Sequence, residues 1–152
     1  MLGVVQARPP GNPDVRNLDI EIYSPWYVSQ PGRPFITAAP SLAYPGETIL
    51  VRSTFAKEIV RVVLVRCGTC THAFNPDQRM LELAFTNPLD DNLLVTMPPN
   101  NNILVPGPYL IFTIRKPADA TDEKVKNLGL PSVGADIYIV KERDRDHNRP
   151  NG

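Results

Sequence analysis

The chain has two cysteines, and both lie just before the first of its two histidines, in the segment VVLVRCGTCTHAFNPDQRMLELAF (residues 62–85). Cys67 and Cys70 are separated by two residues, and His72 follows two positions later. Paired thiols at this spacing suit dithiol redox chemistry, while thiolates beside an imidazole suit a zinc site. The first question is therefore whether this segment is a redox centre, a metal site or a structural turn.

A dithiol centre of the thioredoxin type needs a helix directly after the second cysteine, because the helix N-terminus makes the first thiol nucleophilic. A helix-start signal is present, with Asn75 as a possible N-cap, Pro76 at the first helical position and an amide at Gln78. However, the segment THAFNPD separates Cys70 from the body of such a helix, and proline-rich chain without a βαβ pattern precedes the cysteines. A thioredoxin-like dithiol oxidoreductase is therefore the weakest of the functional alternatives.

A structural zinc site normally has four ligands. Cys67, Cys70 and His72 would supply three, but the only other histidine, His147, lies in the charged C-terminal segment. The sequence therefore disfavours zinc. The residues alone favour two small cysteines, buried or joined in a disulfide, that flank a turn.

Composition limits the partners of the chain. Sixteen basic and sixteen acidic side chains cancel, so no net field attracts nucleic acid or an anionic membrane. No apolar run approaches the ~20 residues that span a bilayer, and the first residues lack the long apolar stretch of a signal peptide. Neither nucleic acid nor a membrane is an expected partner.

Seventeen prolines in 152 residues favour short extended segments over long helices. Apolar runs bounded by turn residues predict strands at Pro34–Ala38, Thr48–Ser53, Ile59–Arg66, Met80–Phe85, Leu93–Met97, Tyr109–Arg115 and Asp136–Lys141. About seven such strands predict an all-β chain folded as an antiparallel β-sandwich. A short helix or charged loop is predicted at Asp119–Gly129.

Four ordered blocks of the chain resemble the C-terminal region of the copper radical oxidases, the galactose oxidase and glyoxal oxidase group. Residues 11–36 resemble the passage from the last propeller blade into the final immunoglobulin-like domain. The cysteine-containing segment resembles the family hairpin, with its Gly-Thr-x-Thr-His turn followed by Asn-x-Asp-Gln-Arg. VPGPYLIF and GLPSVGADIYI resemble the strands that close the domain.

The resemblance implies an immunoglobulin-like, early-set sandwich whose hairpin projects into a kelch-type β-propeller and places a histidine on copper. The matching position is His72, the one copper ligand that can be carried over. The resemblance gives Cys67 and Cys70 no catalytic role, since the family's radical cofactor lies in the propeller. In such a hairpin, Asn75 and Asp77 should form turn hydrogen bonds in place of the helix start.

The complete enzymes of this group are secreted, and they oxidise alcohols or aldehydes and produce hydrogen peroxide. The resemblance therefore implies copper only in a complete oxidase joined to its propeller. For this chain alone, neither a cofactor nor a catalytic residue is expected. The resemblance also implies an extracellular location.

Three regions follow from these predictions. Residues 1–33 form an extended lead-in resembling the end of a propeller blade and a linker, residues 34–141 form the immunoglobulin-like domain, and residues 142–152 form a disordered charged tail. The leading hypothesis is a detached or fragmentary C-terminal domain of a copper radical oxidase, structural and not catalytic alone. The alternative is an independent immunoglobulin-like module that binds a carbohydrate or a protein.

The run from Val60 to Val65 is apolar on both faces of its strand, except at Arg61. A strand exposed to water on one side would not need this pattern. It predicts an outer sheet face that packs on the propeller and is exposed in the isolated domain, where it would promote self-association. No role is predicted for the insertion at residues 116–127.

Overall fold

The computed structural model of the chain describes residues 23–69, 71–72 and 74–141. The chain divides into two compact units, Met1–Pro31 and Gly32–Gly152. Among the described residues, no helix is long and apolar enough to cross a membrane.

The described part of the first unit contains a short 3-10 helix at Trp26–Ser29. The amide of Val28 closes its turn by donating to the carbonyl oxygen of Pro25 (3.0 Å). The rest of the predicted lead-in, residues 1–22, and the predicted disordered tail, residues 142–152, lie outside the described residues.

Nine strands and one α-helix occur in the described part of the second unit. The strands are β1 (Ile36–Ala38), β2 (Leu42–Ala43), β3 (Thr48–Ser53), β4 (Ile59–Arg66), β5 (Met80–Leu89), β6 (Asn92–Thr96), β7 (Gly107–Arg115), β8 (Leu130–Pro131) and β9 (Ala135–Ile139). Helix α1 (Glu123–Leu128) lies between β7 and β8, and a 3-10 turn (Ala56–Glu58) precedes β4. The predicted all-β class is confirmed. The two strands beyond the predicted seven, β2 and β8, have two residues each and are too short to show an apolar period.

Alternating burial explains the register of the central strands. In β3, Ile49, Val51 and Ser53 are buried, and the residues between them are exposed. Strand β6 pairs with β3 in antiparallel fashion and places Leu93 opposite Val51 and Val95 opposite Ile49. Because opposed residues share a face, this register puts the apolar residues of both strands into the core, and a slip by one residue would expose them.

The strands form a β-sandwich whose two sheets share one long strand. The first sheet consists of β1, β3, β6 and the C-terminal half of β5. The second sheet consists of the N-terminal half of β5 with β4, β7, β9 and β2, and β8 lies beside β7. β5 changes partner from β4 at Leu83 to β6 at Ala84. The described pairs are antiparallel except for β2 with β9. Since β4 and β5 are neighbours, the cysteine-containing segment between them is a hairpin connection.

The core lies between the two sheets. Its largest fully buried side chains include those of Tyr109, Leu64, Leu93, Met97, Leu104 and Ile111. Full burial of such a side chain contributes roughly 1.5–3 kcal/mol. The hydroxyls of Ser53 and Thr113 lie 3.1 Å apart, and the Thr113 amide donates to the Ser132 hydroxyl (3.1 Å). These bonds satisfy polar groups that burial would otherwise penalise.

The outer face of the second sheet is less exposed than predicted. Val63 of β4 is 6% exposed although it lies outside the main core cluster, whereas Val60 is 44% exposed. The chain after α1 covers the outer face of β7, where a Cβ on Gly129 would lie 2.7 Å from a methyl group of Ile114. The prediction that this strand exposes an apolar outer face is therefore wrong at Val63, although Val60 is exposed.

Helix α1 lies within the segment predicted to be a short helix or charged loop. Asp122 is its N-cap, and the carboxylate accepts a hydrogen bond from the Lys124 amide (2.7 Å). The helix ends at Gly129, whose φ of 75° suits glycine, and it is anchored by the buried side chain of Val125. The insertion therefore forms a capped helix whose end packs on the outer face of β7.

Candidate functional site

The connection between β4 and β5, residues 67–79, is tied at its base by backbone hydrogen bonds. The Arg66 amide donates to the Arg79 carbonyl oxygen (2.9 Å), and the Cys67 amide donates to the carbonyl oxygen of Pro108 in β7 (3.0 Å). His72, the predicted ligand, is exposed near the tip. The sheet therefore fixes both arms of the connection at the end opposite to His72.

The guanidinium of Arg66 braces the connection from within. Nε lies 2.6 Å from Asp77 Oδ2, and Nη1 donates to the carbonyl oxygens of Val105 (3.3 Å) and Pro106 (2.9 Å). The guanidinium carbon lies 5.4 Å from the centroid of the Tyr109 ring. The hydrogen bond that Arg66 donates to the Asp77 carboxylate raises the pKa of Arg66 above its ordinary value. One side chain, only 13% exposed, thus joins the returning arm of the hairpin to the segment before β7.

The segment before β7 is shaped to receive these contacts. Gly107 has a φ of 135°, and a Cβ there would lie 3.0 Å from Nη1 of Arg66. A larger residue at this position would therefore be strained and would press on the guanidinium. Nearby, Nη1 of Arg79 donates to the carbonyl oxygen of Ile103 (2.7 Å). Both arms of the hairpin are thus bonded to the same segment.

The helix start suggested by Asn75, Pro76 and Gln78 does not form, because the described residues 74–79 contain a turn and no helix. The Asn75 side chain packs against Gly68 so closely that it would have to move if this position carried a Cβ. The turn implied by the family resemblance is therefore present. The interactions differ from those expected, since the Asp77 carboxylate bonds the Arg66 side chain instead of the local backbone.

The tip of the hairpin is a tight turn closed by two hydrogen bonds. The amides of Thr71 and Phe74 each donate to the carbonyl oxygen of the other, both at 2.9 Å. His72 occupies the first central position with a φ of 52°. Positive φ at this position is typical of the primed turns that close two-residue hairpins. It costs a residue other than glycine about 1–2 kcal/mol, so the histidine does not stabilise this turn.

The backbone of this turn gives a first testable prediction. His72→Gly should yield a more stable chain than His72→Ala by about 1 kcal/mol, because glycine adopts positive φ without the steric cost that alanine incurs. Both variants lack the imidazole, so their difference reports the backbone alone. The measurement is the free energy of unfolding in urea. If the alanine variant were equally stable or more stable, His72 would not hold a positive φ in solution.

The imidazole of His72 has one of its nitrogens engaged within the hairpin. Nδ1 lies 2.8 Å from the Thr71 hydroxyl oxygen. Nε2 has no hydrogen-bond partner among the described residues. The ring therefore presents one nitrogen to its surroundings, which is the form in which histidine ligates a metal.

A copper site needs several donors that converge in a defined geometry. Among the described residues, no group of three or more histidine, cysteine, aspartate or glutamate side chains lies close enough to hold a metal ion. The donors described here therefore do not fit a complete copper site. Nε2 of His72 is one imidazole nitrogen that could join a site completed by other residues.

The described residues around Cys67 lack the helix that the dithiol alternative requires. Cys67 is an exposed free thiol, and the described residues that follow it to β5 form turns and a β-bridge, without a helix. Cys70 and His147, two residues weighed for the disfavoured zinc alternative, lie outside the described residues. Without a helix N-terminus at the first thiol, the structure gives no support to dithiol catalysis.

A surface depression beside β3 bears on the alternative of a binding module. It is lined by Ala38, Ala39, Pro40, Glu47, Thr48, Ile49, Leu50 and Arg52. The lining contains no aromatic side chain, although small-molecule sites are commonly lined by hydrophobic and aromatic residues around a few polar groups. Recognition of a carbohydrate or a protein remains a prediction from the sequence.

The sequence predicts a role for His72, but it does not indicate two residues that contact it or brace its hairpin, Thr71 and Arg66. Arg66 ends an apolar run, and nothing in its local pattern shows that its side chain turns to Asp77 on the other arm. In the sequence, Thr71 is recognisable only as part of the turn motif. Pairing β4 with β5 in register would have brought Arg66 near the returning arm.

The chain is similar to one family of domains and to several larger proteins. Residues 33–127 match the model of the family described as "Galactose oxidase-like, Early set domain". A galactose oxidase of Gibberella zeae is 25% identical over 136 residues, which cover 86% of this chain and 18% of the relative. An aldehyde oxidase of the GLOX type from Vitis pseudoreticulata is 28% identical over 134 residues, covering 81% of this chain and 23% of the relative.

A solved structure shows the same fold. It is a fungal alcohol oxidase in complex with copper, with a TM-score of 0.62 and 20% identity, and the match covers 78% of this chain and 24% of that one. The chain thus spans roughly a fifth to a quarter of the length of these relatives. These proteins therefore contain much more chain than the matching domain.

Proposed function

Since this chain belongs to the galactose oxidase-like, Early set domain family, we propose that it is the sandwich domain of a copper radical oxidase. In this role it is structural and donates one ligand, His72, to a copper ion held mainly by another domain. It is not an enzyme by itself. We place the complete protein outside the cell, on the resemblance to secreted oxidases.

The geometry of His72 carries the proposal. The imidazole lies at an exposed hairpin tip, and Nδ1 is hydrogen-bonded within the hairpin. Nε2 is therefore left to donate its lone pair to a metal ion. The backbone there adopts a costly positive φ, while the base is braced by Arg66 at 13% side-chain exposure. A metal site is selective only when the positions of its ligands are fixed, and this hairpin fixes the position of His72.

The remaining ligands would come from a partner domain, for which we propose a kelch-type propeller. The matching segment covers only 18% and 23% of the two relatives, so room for such a domain exists in them. Copper, when bound, supplies the redox chemistry by which an alcohol or aldehyde is oxidised and oxygen becomes hydrogen peroxide. In this proposal, the residues of this chain bind the copper through His72 and orient that ligand.

An experiment on the isolated chain tests whether a complete site is hidden in it. We expect the purified chain, supplied with copper, oxygen and galactose, glyoxal or methylglyoxal, to make no hydrogen peroxide above free copper, because it offers a single fixed donor. Peroxide is measured by a coupled peroxidase assay. A sample with copper but without the chain gives the background. Peroxide production that His72→Ala abolishes would contradict the proposal, since a whole active site would then reside in this chain.

A further inference from the structure

The side chains of Thr71 and His72 meet at the hairpin tip. The Thr71 hydroxyl oxygen lies 2.8 Å from Nδ1 of the imidazole, and both residues are exposed. A neutral imidazole carries a proton on one of its two ring nitrogens. The other nitrogen can accept a hydrogen bond or donate its lone pair to a metal ion. If Nδ1–H donates to the hydroxyl oxygen, the lone pair is on Nε2.

The hydroxyl is held by the same turn that holds the ring. Thr71 is fixed by its two backbone hydrogen bonds to Phe74, and its β-branched side chain has few χ1 rotamers. His72 is fixed by its place in the turn, at a φ of 52°. The hydrogen bond therefore joins two groups whose backbones are already ordered, so little conformational entropy opposes it.

We propose that Thr71 is a positioning residue for His72: its hydroxyl accepts the Nδ1 proton, fixes the ring and reserves Nε2 for the metal. This inference rests on the proposed function. It follows a general pattern in which a ligating histidine donates its second ring N–H to an oxygen atom, which sets both tautomer and orientation. Because both residues are exposed, packing of the sandwich core does not depend on this bond.

The ring nitrogens can be observed directly in the isolated chain without any metal. Nitrogen-15 NMR distinguishes the two neutral tautomers, and the background His147→Gln leaves His72 as the only imidazole. Spectra are recorded near pH ~8.5, where an ordinary imidazole is neutral. The reference is a histidine peptide with blocked ends.

We expect the ratio of Nδ1-protonated to Nε2-protonated ring to exceed that of the reference roughly two- to ten-fold, as a single exposed hydrogen bond allows. Thr71→Val should remove this excess, and Thr71→Ser, which restores the hydroxyl, should retain it. A merely structural threonine would leave the ratio unaffected by either change. An equal ratio in the wild-type and valine chains overturns the proposal.

A second arm measures Cu²⁺ affinity in the complete oxidase. Thr71→Val should lower the affinity about 10- to 100-fold, and Thr71→Ser should stay within about three-fold of wild type. Loss of affinity in His72→Ala but not in Thr71→Val overturns the role of Thr71 and leaves the proposed function standing. Unchanged affinity in both variants overturns the proposed function, and the metal role of Thr71 with it.

Discussion

Arg66→Met should destabilise the sandwich by about 2–3 kcal/mol and release the hairpin that carries His72. The substitution keeps most of the apolar stem but removes a partly buried ion pair and two hydrogen bonds to carbonyl oxygens. The carbonyl groups of Val105 and Pro106 then lose a charged donor at a site where the guanidinium was 13% exposed. Asp77, which is 42% exposed, can return to water, so the loss stays below that of a fully buried pair. Urea unfolding measures the change in stability.

Arg61→Met is the matched control, because Arg61 lies on the same strand and also pairs with a carboxylate across the hairpin. Its Nη2 lies 2.8 Å from Glu82 Oε2, but the two side chains are 40% and 55% exposed. An exposed pair of this kind contributes only about 0.2–1 kcal/mol. Equal losses for Arg61→Met and Arg66→Met would show that the brace at the base of the hairpin has no special role.

His72→Ala in the complete oxidase should lower copper affinity by at least about 100-fold and reduce turnover with it. Loss of a group that is hydrogen-bonded to a metal ligand typically lowers metal affinity about 10- to 100-fold. Loss of the ligand itself should lower the affinity by no less. The sandwich should remain folded, because the side chain is exposed at a turn and contributes nothing to the core cluster. Competition with a chelator measures the affinity, and thermal unfolding of the metal-free protein measures the fold.

His147→Ala, which removes the only other histidine of the chain, is the control for this experiment. We expect it to leave both copper affinity and turnover unchanged. If His147→Ala reproduced the loss and His72→Ala did not, the ligand would have been assigned to the wrong imidazole. If both lowered the affinity, the chain would supply more than the single donor proposed here.

The strands of this domain follow from sequence because their signals are local. Ile49, Val51 and Ser53 alternate with exposed residues, and β3 and β4 have the predicted ends. The short pairing strands β2 and β8 carry no such signal, since their positions are set by β9 and β7. The partner change within β5 is likewise a tertiary effect, because nothing at Leu83 and Ala84 marks it.

The candidate site divides in the same way. The prediction of His72 as a ligand rests on a resemblance of motifs, because a lone histidine gives no chemical signal by itself. The helix-start signal at Asn75 was real as a local preference, but pairing of the two arms and the contact of Asp77 with Arg66 override it. The Thr71 hydroxyl could not be assigned to Nδ1 from sequence, because adjacent side chains meet only when the backbone turns sharply, as φ at His72 does here.

The central claim is that this chain gives one ligand to a copper ion that other residues hold. The most direct test is a count of its nitrogens on the metal. The chain is labelled with nitrogen-15, ligated to the unlabelled remainder of the oxidase and loaded with Cu²⁺, and pulsed EPR separates labelled from unlabelled donors. We expect one directly coordinated nitrogen-15, which disappears in His72→Ala. A copper centre without a labelled donor, or one whose labelled donor survives His72→Ala, would contradict the claim.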